Sequence, residues 1–264
     1  MKVKEIMHAL DEIAPFELAE PWDHSGLRLG NPDAETTSVA VALDPTPQTV
    51  AQALLLHCSM LITHHPLMFS PPENLVCDRL ETKAIAAAFA SQLNVAACHT
   101  NLDSARGGVN EHLASLAGFS GVEPLLPPSS PSGFGMGAAG MVEETDADEF
   151  CERIARVWNL SGYRLLGCGE GVRKAALCGG AGGGLWKAAA AKGADLYITA
   201  DMKYHECLEA LDYGLCLMVC DHGEMENPAL IPFAAKLKRR LQLPVHFIDP
   251  ISREPRPGRW RSLV

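Results

Sequence analysis

Short apolar runs of strand length, separated by stretches with helical periodicity, constrain the fold of this 264-residue chain more than any other feature. Residues 39–43 form one such run, a helix opened by Thr46 or Pro47 follows to about His57, and Met60–Thr63 is the next run. A strand, a helix and a second strand in this order make a βαβ unit, in which the strands are parallel and the crossover is right-handed. The sequence therefore predicts an α/β protein with mainly parallel sheets.

The second half of the chain repeats this pattern. A strand at 174–178, a helix at 185–192 and a strand at 196–199 align without gaps with the first βαβ unit at an offset of 136 residues. Repetition of this kind predicts a pseudo-duplicated α/β protein. The same periodicities predict further helices at 3–14, 81–92, Val109–Leu116, 145–158 (capped by Thr145) and 204–211, and further strands at 94–98, Tyr163–Leu166 and 215–220.

Composition narrows the class of protein. A formal net charge of −10 argues against binding to nucleic acid or to an anionic membrane. The N-terminal residues lack the apolar core of a signal peptide, and no run of 18 apolar residues occurs. The nine cysteines show no C-x-x-C spacing, and those in apolar runs (Cys98, Cys178, Cys216 and Cys220) are expected to be buried, reduced thiols. We therefore expect a soluble, cytoplasmic protein.

Polar residues follow the predicted strands at the points where the strands end. In open α/β sheets, ligands bind in the crevice beyond the carboxyl ends of the strands. Neutral imidazole is the commonest metal ligand, and carboxylates join it in mixed sites. These strand ends therefore predict a metal site, the alternative being polar loops with surface histidines. The residues concerned are Asp44, His64, His65, His99, Asp103, Asp201, His205, Asp221, His222 and Glu226.

The arrangement of these residues favours two metal ions. Candidate ligands outnumber the four of a closed tetrahedral zinc site, and adjacent side chains such as His64 and His65 tend to diverge. Two ions bridged by a carboxylate can share a water or hydroxide that acts as a nucleophile near neutral pH. Imidazole and carboxylate ligands suit zinc, iron, manganese or cobalt and do not choose among them.

Two local features concern the second half of the chain. Pro228 disfavours helix at Asn227, so a helix is expected to begin at Pro228 and to leave His222 and Glu226 in the preceding loop. The glycine-rich segment 178–184 precedes a helix and is interpreted either as a phosphate cradle or as a tight turn that allows close packing.

Four motifs together resemble one known family. Thr63-His64-His65-Pro66-Leu67, His99-Thr100-Asn101-Leu102-Asp103 with Gly107-Gly108-Val109-Asn110 after it, residues 199–205, and His222-x-x-x-Glu226 occur in that order. This set is similar to that of the GTP cyclohydrolase 1 type 2 homologue family of dinuclear-metal proteins, from residue 1 to about 250. Residues 22–27 also resemble its N-terminal motif. The chain departs from the usual pattern by having Asp221 and Gly223 around His222, and Ala200 before Asp201.

The resemblance implies the organisation of the chain and the ligand set. It implies two intertwined α/β domains, here residues 1–124 with 205–264 and, after a Pro/Ser/Gly-rich linker, residues 125–204. It also implies a ring-shaped (toroidal) homohexamer and two divalent ions per chain, zinc, iron or manganese. The implied ligands, with Asp103 or Glu226 as the bridge, are His64, His65, Asp103, His222 and Glu226.

Two classes of function follow. The first is a metal-dependent hydrolase that uses a metal-bound hydroxide on a nucleotide-like substrate, either opening a guanine-nucleotide ring with formate release, as the resemblance implies, or hydrolysing a phosphoester. His99 and His205 are candidate catalytic acid/base residues, or else hold their loops. Glu224 is either a general base or a solvated charge. The second class is a non-catalytic metal-binding scaffold, chaperone or regulatory interaction protein, which needs no proton shuttle.

Overall fold

A computed structural model describes residues 1–167 and 171–249 of the chain. Within these residues the chain divides into two compact units, one formed by Met1–Ala105 with residues 230–249 and the other by Arg106–Ala229. The second unit extends beyond the predicted bounds of 125 and 204 because strands on both sides of that range hydrogen-bond into its sheet. Each unit therefore contains one complete sheet.

The first unit begins with an amphipathic helix and then alternates strands with helices. Its elements up to residue 104 are α1 (Val3–Ile13), a 3₁₀ turn (Phe16–Leu18), β1 (Gly26–Leu29), β2 (Val39–Ala42), α2 (Pro47–Leu55), β3 (Met60–Thr63), α3 (Leu80–Ala90), β4 (Asn94–Ala97) and α4 (Thr100–Ser104). The short α4 was not predicted.

The second unit holds the elements that follow up to residue 220. They are α5 (Val109–Leu116), β5 (Ser120–Glu123), β6 (Ala138–Thr145), α6 (Ala147–Val157), β7 (Tyr163–Leu166), β8 (Val172–Leu177), α7 (Trp186–Ala191) after a 3₁₀ turn (Gly183–Leu185), β9 (Leu196–Ala200), α8 (Tyr204–Asp212) and β10 (Cys216–Cys220). Helix α9 (His222–Leu241) starts in this unit, and its residues from Leu230 belong to the first unit, as does β11 (Val245–Ile248).

The sheet of the first unit is mostly parallel, as predicted. Its strand order is β1-β4-β3-β2-β11, and only β1 runs antiparallel to its neighbour. Every residue of β2, β3 and β4 is buried, which is typical of parallel strands covered on both faces. The core on one face is built from small and branched side chains of the sheet and of α2 and α3, including Val50, Ala53, Leu61, Ala84, Ala88 and Val95. Burying each Val or Leu contributes about 1.5–3 kcal/mol, which holds the strand ends in place.

The sheet of the second unit is mixed. Its order is β5-β6-β8-β9-β10-β7, in which β8, β9 and β10 are parallel and the outer strands are antiparallel. The register of the paired strands confirms the predicted repeat. Val39 pairs with Met60 in the first sheet, and Ala175 pairs with Leu196 in the second. Each residue of the second pair lies 136 positions after its equivalent in the first pair. The two βαβ units are therefore equivalent in register as well as in order.

Three local predictions were wrong or incomplete. Helix α6 is capped by Asp146, whose carboxylate accepts hydrogen bonds from the backbone N–H groups of Asp148 and Glu149, and not by Thr145. Cys216 is disulfide-bonded, so the expectation of reduced thiols fails at this position. Strand β6 was missed because its glycine and its mixture of apolar and charged residues weaken the apolar signal.

Every helix among the described residues is too short or too polar to span a lipid bilayer.

Candidate metal centre

His64 and His65 lie directly beyond β3, where the regular ladder with β2 breaks. The backbone N–H of His64 donates to the carbonyl of Ala42, and that of the next residue, His65, donates to the carbonyl of Leu43. In a regular strand, successive N–H groups point to opposite sides, so two consecutive bonds toward the same partner show that the pleat has ended. The expected divergence of adjacent side chains therefore does not apply.

Three histidines of the first unit converge. His99 follows β4 as the residue before α4, and one ring nitrogen from each of His64, His65 and His99 lies within 4.8 Å of the others. The ring centroids of His64 and His65 are 5.2 Å apart, and that of His99 is 5.3 Å and 5.7 Å from them. Asp103 on α4 adds a carboxylate, with Oδ1 3.6 Å from Nε2 of His64. The position of α4, which the sequence did not reveal, brings Asp103 to this cluster.

The partners of the Nδ1 atoms determine which nitrogen each imidazole offers. His64 Nδ1 lies 2.9 Å from the carbonyl oxygen of Cys98, an atom that can only accept, so Nδ1 bears the proton. His65 Nδ1 lies 2.6 Å from Oδ1 of Asp44, and because a carboxylate oxygen accepts, this Nδ1 also bears the proton. Both rings are thereby fixed in the tautomer that leaves the Nε2 lone pair for a metal, as metal-binding histidines usually are.

Asp23 accepts a hydrogen bond from Nδ1 of His99, and other hydrogen bonds hold the Asp23 carboxylate in place. Its side chain is fully buried, and Oδ1 accepts from His99 Nδ1 at 2.8 Å. The hydroxyls of Thr100 and Ser25 donate to Oδ2 at 2.6 Å and 2.8 Å. Burial raises the pKa of Asp23, but the hydrogen bonds from His99 and Thr100 outweigh burial and hold this pKa well below its ordinary value. Asp23 is therefore an anion that orients the His99 ring.

In the second unit, His222 and Glu226 lie on a helix and not in a loop. Helix α9 begins at His222 because Asp221 caps it: the Asp221 carboxylate accepts from the N–H of Glu224 at 3.0 Å, and its carbonyl accepts from the N–H of Met225. The prediction of a helix start at Pro228 was wrong. An acidic cap followed three residues later by Glu224 is the sequence signal that would have located the start.

The helix places His222 and Glu226 four residues apart on one face. His222 Nε2 lies 3.2 Å from Oε2 of Glu226, and His222 Nδ1 lies 2.6 Å from Oδ2 of Asp201. Asp201 follows β9 with a left-handed backbone at φ 48°, a conformation tolerated by Asp better than by most residues. The sequence placed Asp201 among the polar strand-end residues that predict a metal site, but it did not show that Asp201 is the hydrogen-bond partner of His222.

In both units an imidazole lone pair points toward a carboxylate. With Nδ1 donating to Cys98 or Asp201, the Nε2 atoms of His64 and His222 face Asp103 and Glu226. Two acceptors at these distances repel each other unless a positive charge lies between them, either a second proton on the ring or a metal cation. Imidazole Nε2 with carboxylate oxygen is a fitting donor set for zinc, iron, manganese or cobalt.

The glycine-rich turn packs closely against this pair. Gly180 has φ +64°, and a Cβ atom there would overlap Oε1 of Glu226. Its carbonyl accepts from the N–H groups of Gly182 and Ala200, both at 2.9 Å. These contacts support the tight-turn interpretation of residues 178–184. Glu226 is 3% exposed, so its carboxylate has little room to move away.

Two other candidates have different surroundings. His205 lies in the first turn of α8, is exposed, and contacts the ring of Tyr204 at 5.4 Å. Within the described residues it joins none of the groups of side chains that could hold a metal. Glu224 is 5% exposed and accepts a hydrogen bond from the backbone N–H of Ser161, so it is not a solvated loop charge.

Comparison with known proteins identifies the family. The model of Duf34/NIF3 (NGG1p interacting factor 3) matches residues 1–254. The chain is 33% identical over 253 residues to the GTP cyclohydrolase 1 type 2 homolog of Lactococcus lactis, covering 94% of this chain and 96% of the relative. The corresponding values for the Clostridium perfringens homolog of the same name are 31% over 252 residues, 94% and 95%. A crystal structure of a Staphylococcus aureus hypothetical protein matches with a TM-score of 0.88 at 25% identity, covering 98% of this chain and 99% of that one. The resemblance seen in the motifs is thus confirmed over almost the whole chain, and the protein belongs to the Duf34/NIF3 family.

Proposed function

We propose that the protein is a dinuclear metal-dependent hydrolase of a nucleotide-like substrate. Its reaction is either the opening of a guanine-nucleotide ring with release of formate or the hydrolysis of a phosphoester. The proposed ligands of the two ions are those implied by the sequence motifs, namely His64, His65, Asp103, His222 and Glu226. The names of the relatives support the first reaction, and the donor set is compatible with both.

The observation that carries the proposal is the orientation of the imidazoles. His64, His65 and His222 each have Nδ1 held by a carbonyl or carboxylate, so that Nε2 is the atom that would bind a metal. Such support is expected of metal ligands and is unnecessary for surface histidines. The nearby carboxylates of Asp103 and Glu226 would complete the coordination.

Each group has a defined task in the reaction. Bound divalent ions would lower the pKa of a water molecule enough to make it a nucleophile near neutral pH. His99 has Nδ1 fixed by Asp23, so Nε2 is the atom that would accept a proton from the nucleophile or return one to the leaving group. The ionised Asp23 would stabilise the imidazolium formed in that step.

Metal content and turnover test the proposal together. Protein purified without added metal should contain about two equivalents of metal per chain, and His64→Ala and Glu226→Ala should each lose most of it. His8→Ala is a matched control, because His8 forms an exposed i,i+4 pair with Glu12 at 3.4 Å on α1. Metal-loaded protein is then assayed for formate release from GTP and for phosphoester cleavage.

The outcomes separate metal binding from catalysis. Metal content that is unchanged in His64→Ala and Glu226→Ala would overturn the ligand set. Metal-loaded protein that turns over neither class of substrate would overturn the hydrolase and leave a metal-binding scaffold or chaperone. Loss of turnover in His99→Ala with full metal content would support the acid/base role of His99.

The homohexameric ring is also a proposal, supported by the family resemblance. A particle mass near six times the 28.3 kDa of one chain, measured by light scattering, is the expected result. A monomer or dimer at the concentrations used for the metal assay would contradict it.

A further inference from the structure

Two large aromatic side chains lie exposed beside His99. Trp22 is 59% exposed and Phe69 is 52% exposed. Their ring centroids are 6.0 Å and 5.6 Å from that of His99, with interplanar angles of 77° and 73°. Single exposed apolar residues are ordinary, but two aromatic rings on one imidazole, itself within 4.8 Å of two candidate metal ligands, make a patch at a functional position.

The backbone beneath Trp22 is firmly held. The N–H of Asp23 donates to the carbonyl of Glu20 at 2.9 Å, and the Asp23 carboxylate accepts from the N–H of His24 at 2.6 Å. The same carboxylate accepts from Thr100 on α4, which ties this turn to the end of β4. The exposed indole is therefore presented on a rigid support, so that little conformational entropy is lost when a ligand packs against it.

Phe69 reaches His99 from a different part of the chain. It lies between β3 and α3, in a segment without regular structure, five residues after His64. Trp22 precedes β1, so the two rings converge on His99 only through the fold. A phenylalanine and a tryptophan offer π faces on which a flat heteroaromatic ring can stack, and, being uncharged, they offer little to a phosphate.

We infer that Trp22 and Phe69 bind a planar heteroaromatic ring of the substrate and so select base-containing substrates over simple phosphoesters. The inference rests on the proposed function, because it places the reacting part of that substrate next to His99. It goes beyond that function by assigning the recognition residues and by favouring a nucleobase as the group recognised.

Binding measurements with and without a base test this inference. Affinities for GMP and for ribose 5-phosphate are measured by calorimetry on the full-length protein, as purified and after loading with Zn²⁺. The variants are Trp22→Ala, Trp22→Phe and Phe69→Ala, and the control is Phe89→Ala, which removes another exposed phenylalanine, 74% exposed on α3. Thermal unfolding verifies that every variant is folded.

The expected result is specific to the base. Trp22→Ala and Phe69→Ala should each weaken GMP binding by about 5- to 150-fold, the range for loss of one base–aromatic stack. Trp22→Phe should retain most of the affinity, and Phe89→Ala should retain all of it. Affinity for ribose 5-phosphate should be low and the same in all variants.

Three results would overturn the inference: no detectable binding of GMP, equal affinities for GMP and ribose 5-phosphate, or GMP binding unchanged in Trp22→Ala and Phe69→Ala. The readout is affinity and not turnover, so it stays informative if the protein proves inactive as a hydrolase. Conversely, failure of base recognition would leave a metal-dependent phosphoesterase intact. The two proposals can therefore fail separately.

Discussion

Replacing Gly180 by alanine should damage the candidate metal centre far more than it damages the fold. The Cβ atom would overlap Oε1 of Glu226 and approach Nε2 of His222 to 3.0 Å. Gly193, which follows α7, is a matched control: its φ of +72° resembles the +64° of Gly180, but a Cβ there meets no atom within 4 Å. The two substitutions share the cost of a left-handed backbone and differ in the overlap with Glu226.

The expected magnitudes separate these effects. An alanine in the left-handed region costs roughly 1–2 kcal/mol at either position. At Gly180 the Glu226 side chain must also leave its rotamer, which adds about 0.5–1.5 kcal/mol. We expect the free energy of unfolding to fall by about 1–2 kcal/mol in Gly193→Ala and by about 1.5–3.5 kcal/mol in Gly180→Ala. Displacing Glu226, a proposed ligand, should weaken metal affinity by at least the 10- to 100-fold typical of changes around a metal site.

Urea unfolding of metal-free protein and chelator competition on the loaded protein measure the two quantities independently. Gly193→Ala should keep the metal affinity of the unmodified protein despite its lower stability. Equal metal affinity in Gly180→Ala and Gly193→Ala would refute the reasoning, because it would mean that the overlap with Glu226 is relieved at no cost to the site.

Three further predictions address the surroundings of the site. Asp201→Asn should weaken metal affinity by about 10- to 100-fold, because His222 loses its anionic partner, and chelator competition showing no change would contradict this. Because the pKa of Asp23 is lower in the folded protein than its ordinary 3.8, its contribution to stability is complete above that pH and is lost as the pH falls below it. Asp23→Asn should therefore show a shallower acid-induced decline in unfolding free energy; an equal slope would argue against the prediction. Iodoacetamide should label exposed Cys77 and leave Cys98 unmodified until unfolding, since burial raises the pKa of Cys98 to about 12; mass spectrometry distinguishes the two sites.

The elements that the sequence predicted well are those with a strong local signal. Strand β3 occupies the predicted residues, and the repeat at an offset of 136 recurs in the strand register. Fully buried parallel strands are continuous apolar runs, and the helix between β2 and β3 has a clear cap in Thr46, which accepts from the N–H of Thr49. These features depend on residues that are neighbours in sequence, so they can be identified without knowledge of the fold.

The start of α9 shows a conflict between two local signals. Pro228 disfavours helix in the residue before it, and this signal led to a predicted start at residue 228. A cap contributes about 0.5–2 kcal/mol and a proline inside a helix costs about 3 kcal/mol, so capping by Asp221 does not by itself compensate for Pro228. The helix begins at His222 because buried side chains such as Met225 and Leu230 also stabilise it by packing, a contribution that rules about neighbouring residues do not supply.

By itself, the sequence determined the α/β class, the duplication, the family and the histidines and carboxylates that follow the strands, because parallel strands bring their carboxyl ends to one edge of each sheet. Only the tertiary structure decided which nitrogen each imidazole offers, since the partners of His65 and His99, Asp44 and Asp23, lie 21 and 76 residues away in the chain. It likewise decided that Trp22 and Phe69 meet at His99. Contacts between residues distant in sequence are set by packing of the whole unit, and no local periodicity encodes them.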